Sequence, residues 1–124
     1  MKNNSIDQYC IAHSETESEL LKEIREYTQE NEQAPEMISG PLVVNTLKNI
    51  IKLSRIKSIL EVGMFTGYSA MGMAEALPND GHIDTCELCP IHGKTAQRFF
   101  DKSDYKDIIK THIGEASKTL EKFP

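Results

Sequence analysis

Two carboxylates and a pair of glycines are the residues of this chain best arranged to handle a small molecule. Gly63 and Gly67 bracket Met64-Phe65-Thr66, directly after the apolar run Ile59-Leu60-Glu61-Val62. Glycine lets a chain turn tightly off a strand and lets a ligand approach the main chain. Glu61 is the acid just before that turn, and Glu87 lies twenty residues after Gly67, at the end of a second predicted strand. An acid there can accept hydrogen bonds from both ribose hydroxyls of an adenosine. The spacing is G-x-x-x-G, not the dinucleotide fingerprint G-x-G-x-x-G, and Tyr68-Ser69 open the next helix. A pyrophosphate needs backbone amides at a helix N-terminus, and Glu61 beside them is a poor neighbour for it. The same acid is a good neighbour for an ammonium or sulfonium group. Charge therefore favours S-adenosylmethionine over NAD or a nucleoside triphosphate. The competing reading is a strand-to-helix turn with no chemical role, and Glu87 at the expected distance weighs against it.

The elements that must position these residues follow from periodicity. Residues 1–12 read as a loose arm with Ile6, Tyr9 and Ile11 as anchors. Ser14-Glu15-Thr16-Glu17 fits a capping box, with Ser14 as N-cap, and Leu20, Leu21, Ile24 and Tyr27 share one helical face. Residues 31–40 form a loop, and Pro41 suits the first position of a helix that carries Leu42, Val43, Leu47, Ile50 and Ile51. Strands are predicted at 56–62, 82–87 and 108–113, with helices at 67–77, 90–100 and 117–123. Ile91, Ala96, Phe99 and Phe100 make the predicted buried side of the 90–100 helix. Helical connections of this length imply parallel strands. The order leaves the strand at 56–62 as an apolar edge, which another segment or chain must cover if the protein is to avoid aggregation.

The length, 124 residues, suits one domain. Apolar residues make up 39%, enough for a packed core. A net charge of −5 offers no basic footprint for nucleic acid. No apolar run is long enough for a membrane span, and the polar start Met1-Lys2-Asn3-Asn4-Ser5 is unlike a signal peptide, so the cytoplasm is the expected compartment. Three cysteines, an odd number, argue against a disulfide framework.

The stretch Leu60-Glu61-Val62-Gly63-Met64-Phe65-Thr66-Gly67-Tyr68-Ser69-Ala70 resembles the signature of the cation-dependent O-methyltransferases, the caffeoyl-CoA and catechol O-methyltransferase-like group. Ala76-Leu77-Pro78-Asn79-Asp80-Gly81-His82-Ile83, Gly114-Glu115-Ala116 and Pro35-Glu36-Met37-Ile38-Ser39 extend the likeness over most of the chain. The resemblance implies a Rossmann-like α/β fold, with 1–55 as an N-terminal arm and helices and 56–124 as the first half of a cofactor-binding domain. For a bound S-adenosylmethionine it implies Glu61 on the methionine side, main-chain contacts from Gly63 and Met64, and Ser69 near the carboxylate. Glu87 would hold the ribose, Ala116 would offer an amide to the adenine, Ser39 would approach the cofactor and Met37 the methyl acceptor. It also implies a small catechol-like or phenolic acceptor, a divalent cation (Mg or Ca) and a homodimer built with the N-terminal helices. In the family the metal ligands follow the fourth and fifth strands. They would lie past Pro124, so no residue here is assigned to a metal and none to catalysis. The expected activity is methyl transfer to a hydroxyl, with this chain supplying mainly the cofactor half and catalytically incomplete alone. The rival expectation is a non-catalytic remnant or split-protein module that binds cofactor or a partner chain.

Cys86-Glu87-Leu88-Cys89 is a C-x-x-C, which could mark a redox pair or half a zinc site, but a structural zinc needs four ligands in paired spacing. Reduced cysteines are the simpler reading. His13, His82, His92 and His112 fall in no triad or metal spacing and read as surface or hydrogen-bonded histidines.

Overall fold

The computed structural model describes residues 5–124. Two helices lead the chain, α1 (Ser5–Ala12) and α2 (Glu19–Asn31), followed by a 3-10 turn (Pro35–Met37) and α3 (Gly40–Ser54). Then come β1 (Ser58–Val62), α4 (Tyr68–Ala74), β2 (His82–Glu87), α5 (Pro90–Asp101), β3 (Ile109–Ile113) and α6 (Ala116–Leu120). The strands form one parallel sheet in the order β1-β2-β3. The predicted α/β alternation, and the position of β1 at the edge, are therefore what the chain adopts. Among the described residues no helix is long and apolar enough to cross a membrane.

Strand register sorts the side chains into layers. Ile59, Ile83 and Ile109 are neighbours across the sheet, and Ile83 is fully buried. Two residues further along lie Glu61, Thr85 and Thr111, and two further again lie Glu87 and Ile113. Because side chains alternate along a strand, these rows share one face. The apolar row anchors the helices, and the acids follow toward the strands' C-terminal ends. Phe99 and Phe100 of α5 and Met71 of α4 pack into the same core. The opposite row leaves Leu60 and Val62 exposed, at 44% and 60%.

Four local expectations need correction. Residues 5–12 are helical, and Ile6, Tyr9 and Ile11 are exposed and outside the core; residues 1–4 lie outside the described part. Ser14 does not cap α2. Its hydroxyl donates to the Cys10 carbonyl at the end of α1, and Ser18 caps α2 by accepting from the Leu21 N–H. The Glu17 carboxylate that a capping box would use is taken by Arg25 and Tyr68 instead. On α3 the inward face is Gly40, Val44, Lys48 and Ile51, while Val43 and Ile50 are exposed. Lys48 is tolerated inside because Glu75 (3.0 Å) and Glu15 (3.2 Å) neutralise it. On α5, Ile91 is exposed because Gly93 is the residue of that turn that meets Ile113 of β3 and Ile91, two residues earlier, lies on another side of the helix, whereas Ala96, Phe99 and Phe100 are buried as expected.

The α3 face is set by close approach to α4. A Cβ built on Gly72 would sit 2.2 Å from Val44 Cγ1. We expect Gly72→Ala to destabilise the fold by about 1–3 kcal/mol through overpacking. Val44→Ala in the same chain should recover part of that loss, because the obstructing methyls are gone. Urea unfolding of the single and double variants checks this; equal stability of Gly72→Ala and the parent contradicts the packing.

Candidate functional site

The site is built where β1 and β2 end. Beyond Val62 the chain turns onto β2, and the N–H groups of Gly63 (2.9 Å) and Met64 (3.1 Å) both donate to the Cys86 carbonyl. Gly63 has φ +92 and Gly67 φ +90, so glycine is needed at both corners of the loop. Between them Phe65 also adopts a left-handed conformation, φ +53. The loop closes with the Gly67 N–H donating to the Met64 carbonyl (3.0 Å), and Gly67 caps α4. Thr66, fully buried, fastens the loop to α2: its hydroxyl donates to Thr28 Oγ1 (2.8 Å), which in turn donates to the Ile24 carbonyl (2.7 Å).

Both acids are held by donors. Glu61 Oε1 accepts from the Ser69 hydroxyl and Oε2 from the Thr85 hydroxyl. Burial pushes the Glu61 carboxyl up from its ordinary value, the two hydroxyl donors hold it back, and the neighbouring charge of Glu87 pushes it further up. Glu87 Oε2 accepts from the Phe65 N–H (2.8 Å) and Oε1 from the Cys89 N–H (2.8 Å). Each oxygen keeps a second lone pair for another donor. The Glu87 carbonyl accepts from the Gly114 N–H (2.8 Å), which ties the end of β3 to the same spot.

A narrow cleft opens above this loop. Met37, Ser39, Gly63, Met64 and Ser69 all line it, together with Phe65 and Tyr68. Five of the residues singled out from the sequence thus meet in one place, and Glu61 touches it through Ser69. Glu87 stands at the Phe65 end of the loop. Ala116 does not line the cleft; it starts α6, two residues past Gly114. Sequence reasoning gave no role to Phe65, Thr66, Thr28 or Thr85, and read His92 as a surface or hydrogen-bonded histidine. Thr85 was findable, because its two-residue offset from Glu87 puts it on the face of the sheet that Glu61 occupies.

The two thiols of the C-x-x-C are not bridged to each other. All three cysteines are free. Cys86 is buried, and that burial, then the charges of Asp84 and Glu61, push its thiol up, away from the reactive thiolate. Among the described residues no group of His, Cys, Asp and Glu side chains is arranged to hold a metal ion.

Glu61 makes a stability prediction with a definite sign. A carboxyl whose folded value is raised contributes stability below its unfolded value of about 4.3, and that contribution is lost as pH rises through the folded value. Glu61→Gln removes this penalty while keeping an acceptor for Ser69 or Thr85. The variant should therefore melt higher than the parent at pH 7, and the gap should close toward pH 4. Thermal melts across that range check it; a variant less stable than the parent at pH 7 overturns the assignment.

Comparison with known proteins places this geometry. A sequence model described as O-methyltransferase matches residues 11–124. The chain is 30% identical over 119 residues to a probable caffeoyl-CoA O-methyltransferase of Dictyostelium discoideum, covering 96% of this chain and 52% of that protein. It is also 30% identical over 120 residues to catechol O-methyltransferase domain-containing protein 1 of Mus musculus, covering 97% of this chain and 45% of the relative. Among solved structures, the SAH-bound methyltransferase PaMTH1 of Podospora anserina superposes with a TM-score of 0.90 at 25% identity, over 100% of this chain and 56% of that one. The O-methyltransferase TomG of Streptomyces achromogenes, solved with SAM, gives 0.85 at 28% identity, over 95% and 52%. The chain spans about half the length of the relatives it matches. With the loop from Glu61 to Ser69, the acid Glu87 and the parallel Rossmann-like sheet all in place, the chain belongs to the O-methyltransferase family.

Proposed function

We propose that this protein binds S-adenosylmethionine and serves methyl transfer to a hydroxyl of a small catechol-like or phenolic acceptor. The observation that carries the reading is Glu87: a carboxylate fixed by two backbone N–H groups, each oxygen with a lone pair left over. Such an acceptor pair suits the two hydroxyls of a ribose. The neighbours solved with SAM or SAH support the choice of cofactor. Bound there, S-adenosylmethionine supplies an activated methyl group. The chain's own residues orient it and keep water away. Glu87 takes the ribose, Gly63 and Met64 present backbone along the chain of the cofactor, and Ser69 and Ser39 face its amino-acid end. Glu61 gives negative charge near the ammonium or sulfonium group. Met37, exposed at 65%, offers an apolar wall to the acceptor. The alanine at 116 lies toward the adenine end. The family's divalent cation finds no ligand set among the described residues. The three free thiols suit a reducing compartment such as the cytoplasm.

Isothermal titration with S-adenosylmethionine and SAH (S-adenosylhomocysteine) tests the reading. Saturable heat with one site per chain is the expected result; no heat from a chain that circular dichroism shows to be folded overturns it. Removing the charge at Glu61 by Glu61→Gln should weaken S-adenosylmethionine by about ten-fold, or about 1.4 kcal/mol, even as it stabilises the fold.

A second reading is favoured by β1. Among the described residues its outer edge has no partner strand, and Leu60 and Val62 are exposed beside it. In this reading the chain is a cofactor-binding module whose edge pairs with a strand from a further segment or partner chain. Exposed Val43, Ile50 and Leu53 on α3 would serve a homodimer in either case. Sedimentation equilibrium reads the oligomer, and methylation of a catechol by the chain alone rejects the non-catalytic module.

A further inference from the structure

His92 joins three parts of the molecule that the sequence keeps apart. It sits in the first turn of α5. Its Nε2 lies 3.3 Å from Glu32 Oε2, and its Nδ1 lies 3.8 Å from Glu87 Oε1. The ring stands edge-on to Phe65, with centroids 4.8 Å apart and planes at 90°. Only 26% of its side chain is exposed, and both carboxylates are more buried still, at 15% and 10%. Two carboxylates from outside the helix flank the ring there.

Each partner leads to a different wall of the cleft. Glu87 is the ribose acid of the proposed function. Phe65 is the left-handed residue of the glycine loop, and its N–H donates to Glu87. Glu32 ends α2 and begins the segment that carries Met37 and Ser39 to the cleft. That segment is otherwise held near its middle by the short turn bonds of Met37 N–H to the Ala34 carbonyl and Ile38 N–H to the Pro35 carbonyl.

We propose that His92 is a positioning residue that latches the 32–39 segment to the ribose acid, so that ordering this wall of the cleft and recognising the ribose hydroxyls are one event. The proposal rests on the adenosyl-cofactor reading for its ligand, while the latch itself belongs to the free protein. The imidazole stands between the two carboxylates, 3.3 Å from Glu32 and 3.8 Å from Glu87, and sets the spacing of one from the other. It thereby fixes the orientation of the Glu87 oxygens toward the ribose and the distance of Met37 from the glycine loop. Without it, Glu32 and Glu87 repel.

Two measurements decide it. In the ligand-free protein, amide hydrogen exchange is followed at Phe65 and at Met37 and Ile38, with Ile83 in the central strand as the control. His92→Ala should speed exchange at the loop and at the 37–38 turn together and leave Ile83 unchanged. Glu32→Gln should do the same. His92→Gln, which keeps a donor amide, should restore part of the protection and guards against a folding defect in the alanine variant. Faster exchange at one site without the other, or at Ile83 as well, overturns the latch. In the second measurement SAH and its 2′-deoxyribose analogue are titrated. The His92→Ala change should weaken SAH by about ten-fold and the deoxy analogue by much less, and His92→Ala with Glu32→Gln should cost less than the sum of the two alone. Equal losses for both ligands, or strict additivity, overturn the role in ribose recognition. A parent protein that binds no SAH overturns the proposed function, and the exchange result then still decides the latch.

Discussion

Glu87→Ala should abolish SAH binding, and Glu87→Gln should weaken it by at least about a hundred-fold. Hydrogen bonds to a charged acceptor contribute about 1.5–3 kcal/mol each, and the proposed ribose contact uses two. A hundred-fold loss corresponds to about 2.7 kcal/mol. The two substitutions differ because Glu87 also has a structural task. The N–H groups of Phe65 and Cys89 donate to its carboxylate at 2.8 Å. Alanine leaves both without that acceptor in a part-buried setting, so the loop should loosen as well as lose its ligand. Glutamine keeps one carbonyl acceptor and replaces the other oxygen with a donor, which a ribose hydroxyl can meet only by turning. Titration calorimetry on both variants, with urea unfolding alongside, separates the two losses. Parent-like affinity in Glu87→Ala rules this carboxylate out as the ribose acceptor.

The same methyl group should cost the two glycines of the loop in different proportions of stability and binding. At Gly67, φ is +90 and a Cβ would lie 2.7 Å from Phe100 Cζ and 3.0 Å from the Cβ of Ala96. Backbone strain of about 1–2 kcal/mol and overpacking of about 1–3 kcal/mol together predict a loss of roughly 2–5 kcal/mol in Gly67→Ala. Moving this cap of α4 also displaces Ser69 from Glu61, so binding should fall with stability. At Gly63, φ is +92 but a Cβ meets nothing within 4 Å. Gly63→Ala should therefore cost only the backbone strain, about 1–2 kcal/mol, while its methyl projects into the space assigned to the cofactor. We expect a modest drop in urea midpoint and a loss of SAH affinity out of proportion to it. A Gly63→Ala protein that binds SAH as the parent does removes Gly63 from the cofactor wall.

What could be read in advance divides along the same physical line. β2 runs over the predicted residues, β1 and β3 within them, because β-branched runs bounded by glycine and turn residues are local signals. Glu61 and Glu87 share one face because the register sets Glu61 against Thr85, two residues before Glu87, and that register is a property of the folded sheet. The helices were harder. Which of two apolar stripes on α3 turns inward depends on Gly72 of α4 receiving Val44, and on Glu15 and Glu75 receiving Lys48. None of those partners is near α3 in sequence. The Ser14 capping box failed for a similar reason: its glutamate, Glu17, is drawn away by Arg25 and by Tyr68, fifty-one residues on.

The sequence by itself determined the family, the parallel α/β order, the edge position of β1, and most residues that line the cleft. Those follow from local pattern: strand, glycine corner, helix start, and an acid at a fixed distance. Only the tertiary structure decided how the acids are held and what surrounds them. Ser69 and Thr85 on Glu61, the backbone amides on Glu87, Thr28 under Thr66, and His92 between Glu32 and Glu87 are contacts across long stretches of chain. Burial and hydrogen bonding set the charge state and aim of a carboxylate, and both are properties of the folded neighbourhood, which no spacing along the chain encodes.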